Sequence, residues 1–186
     1  MEVVGYQTLE DKDNIDEIEM DGPYQCTHRS AWLGTGRYLW DTNFQWALEW
    51  GPIAYCKYGK DFVIGKCKVV LDEHCYDLHG SVAHWLDFKE IVDSLIDTGY
   101  LSKDKITVPK VIEYLKKKGL FDYKSIRAVD YPGSPNKLAF RIKNHKGRAR
   151  IQEHMLMNQR VQICVIEKKD VILPPFLVVY PEKYLN

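Results

Sequence analysis

Residues 87–119 carry the strongest periodic pattern in the chain, and the sequence on either side reads differently. Phe88, Ile91, Val92 and Leu95 recur at three- and four-residue spacing behind Asp87 and Glu90, and Gly99 follows. Apolar side chains so spaced share one stripe of a helix, which Asp caps at its start and Gly closes. A second helix is predicted from Thr107, with Pro109 in its first turn and Val108, Val111, Ile112 and Leu115 as its core stripe. Lys116-Lys117-Lys118-Gly119 ends it, cations complementing the carbonyl-rich terminus. After Gly119 the period falls towards two. Segments 125–129, 138–142, 159–166 and 176–180 read as strands, with Pro174-Pro175 separating the last two. A helical pair set among strands predicts an α+β fold built on antiparallel strands, not a doubly wound sheet.

The first third is mixed. Segment 3–8 reads as a strand, 11–20 as an acidic helix turning Ile15 and Ile18 inward, and 23–36 as a loop. Tyr38 to Trp40 is a brief strand. Thr42 and Gln45 make a capping-box pair for a helix over 43–50, which Gly51-Pro52 stops. Phe44, Ala47 and Leu48 form one apolar strip of that helix, Trp46 and Trp50 another. Segment 62–70 is a β-branched strand. A chain of 186 residues with 45% apolar content can build its own core, so one domain over 1–186 is expected.

Charge excludes little. Lys plus Arg and Asp plus Glu number 26 each, so no global field favours nucleic acid or a membrane surface. Locally the chain is polarised. Residues 1–22 hold eight acids and one base, net −7, and residues 137–160 hold seven bases and one acid, net +6. No apolar run approaches the ~20 residues of a membrane span. The start, Met1-Glu2-Val3-Val4, does not read as a signal peptide, and five scattered cysteines fit free thiols in a reducing cytoplasm. A cytoplasmic, non-membrane protein is therefore expected. Cys67, His74, Cys75 and His79 lack C-x-x-C spacing, so no metal is expected. Cys26 or Cys164 as nucleophile would need a base partner. There is no Gly-x-Gly-x-x-Gly turn, no Walker loop and no nucleophile elbow, so a dinucleotide would have to be held some other way.

Three separated fragments suggest one: Gly5-Tyr6-Gln7-Thr8, Trp32-Leu33-Gly34-Thr35-Gly36-Arg37-Tyr38-Leu39-Trp40, and Arg160-Val161-Gln162-Ile163-Cys164-Val165. In order and character they resemble the three pieces of the NAD site in the ADP-ribosyltransferase superfamily. The likeness is strongest to small bacterial toxins and phage-defence members, related in motif to the poly(ADP-ribose) polymerases. Such proteins open with a Tyr-His-Gly-Thr-like strand, carry a Gly-x-Tyr-aromatic stretch before a helix, and close on a strand bearing Glu or Gln. Here Tyr6 stands at the His, Gln7 at the Gly, and Thr8 matches. Ala47-Leu48-Glu49-Trp50 fits the helix, and the likeness continues through Phe62-Val63-Ile64-Gly65 to Tyr76-Asp77-Leu78. It covers most of the chain except roughly residues 80–125, which read as a helical insertion.

The resemblance implies a split antiparallel β-sheet core with flanking helices and a mono-ADP-ribosyltransferase using NAD. Tyr6 and Thr8 would place the ribose and carboxamide, with the backbone of Gln7 also facing the carboxamide. Tyr38 would stack on nicotinamide, and Gln162 would orient the ribose or the acceptor. His28 and Arg29 would reach the pyrophosphate. Lys146, Arg148 and Arg150 would steer a macromolecular acceptor, RNA, DNA or protein, towards the cleft. A toxin or defence role, with an antitoxin or regulatory partner, belongs to the same picture. The alternatives are an inactive binding module of that fold and an NAD glycohydrolase, because the Gln162 amide cannot ionise as a base. Plainer roles compete: Tyr38 or Trp40 packing in the core, Thr8 ending a strand, and segment 143–150 as a solvated hairpin turn.

Overall fold

Val161, Ile163 and Val165 are buried on one side of strand β8 (Val161–Val165), while Gln162 and Cys164 face the other. Slipping this strand by one residue would put the Gln162 amide in the place of Ile163, which has 0% exposure, so the register is fixed. The structure, a computed structural model, describes residues 1–130 and 159–185 in full and strands 137–143 and 149–156 by their backbone. β8 lies inside a seven-stranded sheet. Its neighbours on one side are β5 (Ser125–Val129) and then β4 (Cys75–Asp77). On the other they are β2 (Arg37–Asp41), β1 (Glu2–Glu10), β3 (Phe62–Val70) and β9 (Ile172–Tyr180). β6 (Lys137–Lys143) and β7 (Ala149–Leu156) pair separately as an antiparallel hairpin.

The fold is α+β, as the patterning predicts, but the sheet is mixed: β4 and β5 run parallel. Parallel neighbours need a crossover. Helices α3 (Val82–Asp97) and α4 (Val108–Lys117) supply it, so the segment read as an insertion is the link that closes this end of the sheet. The remaining helices are α1 (Ile15–Asp21) and α2 (Phe44–Ala54). Among the described residues no helix is long and apolar enough to cross a membrane.

Several boundaries depart from the sequence reading. α1 starts at Ile15 rather than Asp11, because Asp11 Oδ1 accepts the Asp13 N–H and Asp13 turns to φ 56°. Thr42 and Gln45 make no capping box. Thr42 has φ 61° and donates its hydroxyl to Asp41, and Asn43 caps α2 by accepting the Gln45 N–H. α2 runs through Gly51-Pro52. Gly51 lies against the Phe62 ring, where a Cβ would collide, so close packing rather than helix breaking explains that glycine. α3 begins at Val82 under a Ser81 cap, and Asp87 instead accepts the Tyr76 hydroxyl at 2.6 Å. β9 passes through Pro174-Pro175, which an edge strand tolerates. β7 was not legible as a strand, since Gln152-Glu153-His154 breaks its alternation.

Cross-strand partners share a face, which sorts the core into two layers. One face carries Tyr6, Trp40, Gln162 and Ala128 in a single row, and Tyr38, Cys164, Ile126 and Tyr76 in the next. α2 covers its middle through Trp46 and Ala47, and α4 covers its parallel end through Ile112. α3 packs on α4 through Leu95, Val111 and Leu115. The opposite face buries Leu39, Val63, Cys67, Val69, Ile163 and Val165 against Ile18 of α1 and Phe176 of β9. Each fully buried aliphatic side chain contributes roughly 1.5–3 kcal/mol, so these two layers hold the sheet.

Candidate functional site

The ladder between β1 and β2 is only two residue pairs long, Gly5 with Asp41 and Tyr6 with Trp40. Continued, the same register would set Thr8 against Tyr38, and it stops short of that. Gln7 to Glu10 pair with β3 alone, and Arg37 to Leu39 pair with β8 alone. The sheet therefore splits between Gln7-Thr8 and Arg37-Tyr38. The three fragments singled out in the sequence lie on β1, β2 and β8, consecutive strands beside this opening.

The loop from Gly22 to Gly36 holds the split open. Cys26 pairs with Gly36 through N–H···O bonds of 2.8 and 3.2 Å in the two directions, extending the line of β2. Tyr24 then lies beside Gln7, and Arg37 Nε donates to the Pro23 carbonyl at 3.1 Å. On its far side the same loop sends Trp32 onto β8, where the indole N–H donates to Gln162 Oε1 at 2.7 Å. Gln162 is half-buried, and its Nε2 has no partner among the described residues. With the carbonyl fixed, the two amide hydrogens remain to bind an acceptor atom.

Tyr6, Thr8, Tyr38 and Gln162 share one face of the sheet, and their polar atoms are engaged to different degrees. The Tyr6 ring meets Phe44 edge-on at 5.6 Å. Thr8 is buried and donates its hydroxyl to the Ala47 carbonyl of α2 at 2.7 Å. Tyr38 donates to the Gly34 carbonyl at 2.7 Å and accepts the Leu33 N–H at 2.9 Å. Burial pushes its phenol far above the ordinary value, so it is a neutral clamp on the loop. Trp40, next to Gln162, faces the Arg160 guanidinium at 5.1 Å, and Trp46 faces it at 5.2 Å. Arg160 also pairs with Asp130 at 2.7 Å.

Gln7 faces the other way and is buried. Its Oε1 accepts the Tyr24 N–H at 2.7 Å, and its Nε2 donates to the carbonyls of Tyr24 at 2.8 Å and Tyr38 at 3.3 Å. His28 and Arg29 are exposed on the loop, with His28 Nδ1 2.6 Å from Ser30 Oγ. Lys146 and Arg148 lie outside the described residues. Arg150 is in β7 at the register shift opposite Ile142 and Lys143.

Beside the row, a groove of about 510 Å³ is lined by Leu78, His79, Trp85, Phe88, Ala128, Val129 and Gln159. Ala128 is the cross-strand partner of Gln162, but none of Tyr6, Thr8, Tyr38 and Gln162 lines the groove. On the opposite face Arg127 bridges Asp41 at 2.7 Å and Asp77 at 3.1 Å. Among the described residues no three His, Cys, Asp or Glu side chains gather as a metal site, and Cys67 and Cys75 are buried in the core. Burial pushes the Cys164 thiol up to about 12, which leaves it a poor nucleophile.

Tyr24, Trp32, Arg160 and Arg127 were not assigned roles from sequence. Trp32 lies within the second of the three fragments, but its partner is 130 positions away and no local pattern joins them. No family model, curated protein or solved structure matches this chain.

Proposed function

We propose that the chain binds NAD at the opening between β1 and β2 and transfers its ADP-ribose to a macromolecular acceptor. The observation that carries this reading is the row Tyr6–Trp40–Gln162 across three adjacent strands whose sequence fragments resemble the ADP-ribosyltransferase motifs. The split beside that row supports the finer reading of the α+β fold as an ADP-ribosyltransferase-like one.

In the reaction the bond between ribose C1′ and the nicotinamide nitrogen breaks, and its electron pair leaves with nicotinamide. Positive charge passes from the pyridinium to the ribose, and the acceptor attacks C1′ and loses a proton. Orientation and dipoles serve this step better than a strong nucleophile. Gln162, held by Trp32, offers two N–H donors to a ribose hydroxyl or to the acceptor. It takes up no proton, so the acceptor must need little activation. Tyr38 positions the loop through its hydroxyl, and its half-buried ring packs against the cluster of Leu33, Ile126 and Cys164, so only its exposed edge would meet nicotinamide. Tyr6 and the Thr8 backbone border the opening, His28 and Arg29 stand on its loop for the pyrophosphate, and Lys146, Arg148 and Arg150 would steer the acceptor. A cytoplasmic toxin or defence effector, with an antitoxin partner, suits this activity.

A second reading, an inactive binding module of the same fold, is favoured by the non-ionising Gln162 and by the Gln7 amide that closes one side of the split. Incubating the chain and a cell lysate with NAD labelled on adenosine separates the cases. Label that nuclease removes marks a nucleic-acid acceptor, and label that protease removes marks a protein acceptor. Nicotinamide released without label transfer is glycohydrolysis. NAD retained intact is the binding module, and failure of both the folded chain and its Gln7→Ala variant to engage NAD ends both readings.

A further inference from the structure

Gln7 makes the contacts an amide ligand would make. Its carboxamide meets the backbone of Tyr24 at two points, taking the N–H at 2.7 Å and giving a hydrogen to the C=O at 2.8 Å. Its second hydrogen reaches the Tyr38 carbonyl at 3.3 Å. Both donors and one acceptor lone pair are thus used, on a residue only 7% exposed. The pairing has a cause in the split. Where β1 and β2 part, the Tyr38 carbonyl loses the strand partner that a continued register would give it. Buried backbone groups demand partners, and the edge formed by Tyr24 and Tyr38 offers one donor beside two acceptors. A primary carboxamide is the small group that satisfies all three. An ester or a tertiary amide lacks the donors, and a carboxylate would face two carbonyl oxygens.

We propose that the Tyr24 N–H and C=O, with the Tyr38 carbonyl, form a binding site for a primary carboxamide that Gln7 fills from within the chain. An aromatic amide such as nicotinamide occupies the site only when the Gln7 side chain swings out, so the chain is self-blocked. The site stands on the hydrogen bonds alone. The statement that NAD is what displaces Gln7 rests on the function proposed above.

The test is titration of the full chain and of Gln7→Ala with propionamide and nicotinamide by calorimetry, with N,N-dimethylacetamide as the donor-free control. Gln7→Ala should bind propionamide at least tenfold more tightly than the unaltered chain does, and the control should fail to bind. A folded Gln7→Ala that gains no affinity overturns the proposal. Because that variant can fail to fold, the unaltered chain is also followed by the ¹⁵N signals of its side-chain amides. The Gln7 protons should exchange slowly with water and shift as nicotinamide is added to saturation. Protons that exchange freely, or that do not move, overturn it equally. Amide binding by Gln7→Ala without nicotinamide release from NAD keeps the carboxamide site and removes the transferase reading. Release from NAD by a chain whose Gln7 signals stay unmoved does the reverse.

Discussion

Trp32 donates its indole N–H to Gln162 Oε1 at 2.7 Å, tying a long surface loop to a central strand across 130 positions of sequence. The bond fixes which end of the Gln162 amide points outward. Trp32→Phe keeps an aromatic side chain, though a smaller one, and removes the donor, leaving a half-buried carbonyl without its partner. Thermal or urea unfolding should show a loss of about 1–3 kcal/mol. Nicotinamide release should fall with it, through kcat rather than KM, because Trp32 acts through the orientation of Gln162. A variant of unchanged stability would mean that the bond does not hold the loop.

Asp41 is held by Arg127, whose Nε lies 2.7 Å from a carboxylate with only 4% side-chain exposure. Arg127→Met strands that charge in the sheet and should cost about 3–5 kcal/mol. The paired change Arg127→Met with Asp41→Leu should recover a large part of the loss. Urea unfolding of the single and double variants measures both.

Stability should fall in acid through Asp77. Burial alone raises its carboxyl, but hydrogen bonds from Gly80 and His79 and the charge of Arg127 outweigh burial, and the net shift is downward from 3.8. Between the folded value and 3.8 the unfolded chain binds more protons, so stability rises with pH there. The contribution is full above the unfolded value and disappears as pH drops through the folded one. Unfolding curves taken from pH 6 down to about 2.5 should steepen below about 4 in the unaltered chain and less so in Asp77→Asn.

Thiol labelling should separate the cysteines. Cys56 is exposed, whereas burial raises Cys67 to about 12, Cys75 to about 11 and Cys164 to about 12. At pH 8 in native buffer, Cys56 should react with a disulfide reagent roughly a hundredfold faster than those three. Denaturant should erase the difference. Fast native labelling of Cys164 would contradict its burial on the Gln162 face.

Much of the fold was legible because its strands and helices carry the period their environment demands. β3 and β5 occupy the residues their alternation indicates, and the α3 stripe Phe88, Ile91, Val92 and Leu95 faces α4. Helix starts were less legible, since several nearby side chains can cap. Ser81 and Asn43 won because Asp87 is held by Tyr76 and Thr42 by Asp41. The parallel pairing of β4 and β5 was hidden, because a three-residue strand has no period to read. At the candidate site the strands were legible but the partners were not. Gln7 shows no sequence sign that its amide meets Tyr24 and Tyr38, and Arg127 shows none that it meets an aspartate 86 positions away. Long-range polar pairs depend on register and loop path, which local sequence does not encode.

The central claim is that NAD is cleaved beside the row of Tyr6, Trp40 and Gln162, and free nicotinamide is its most direct readout. The purified chain should release nicotinamide from NAD above a protein-free control. Gln162→Ala should lower that rate at least tenfold while its unfolding midpoint stays within a few degrees. No release from either the unaltered chain or Gln7→Ala, both folded and saturated with NAD, would contradict the account.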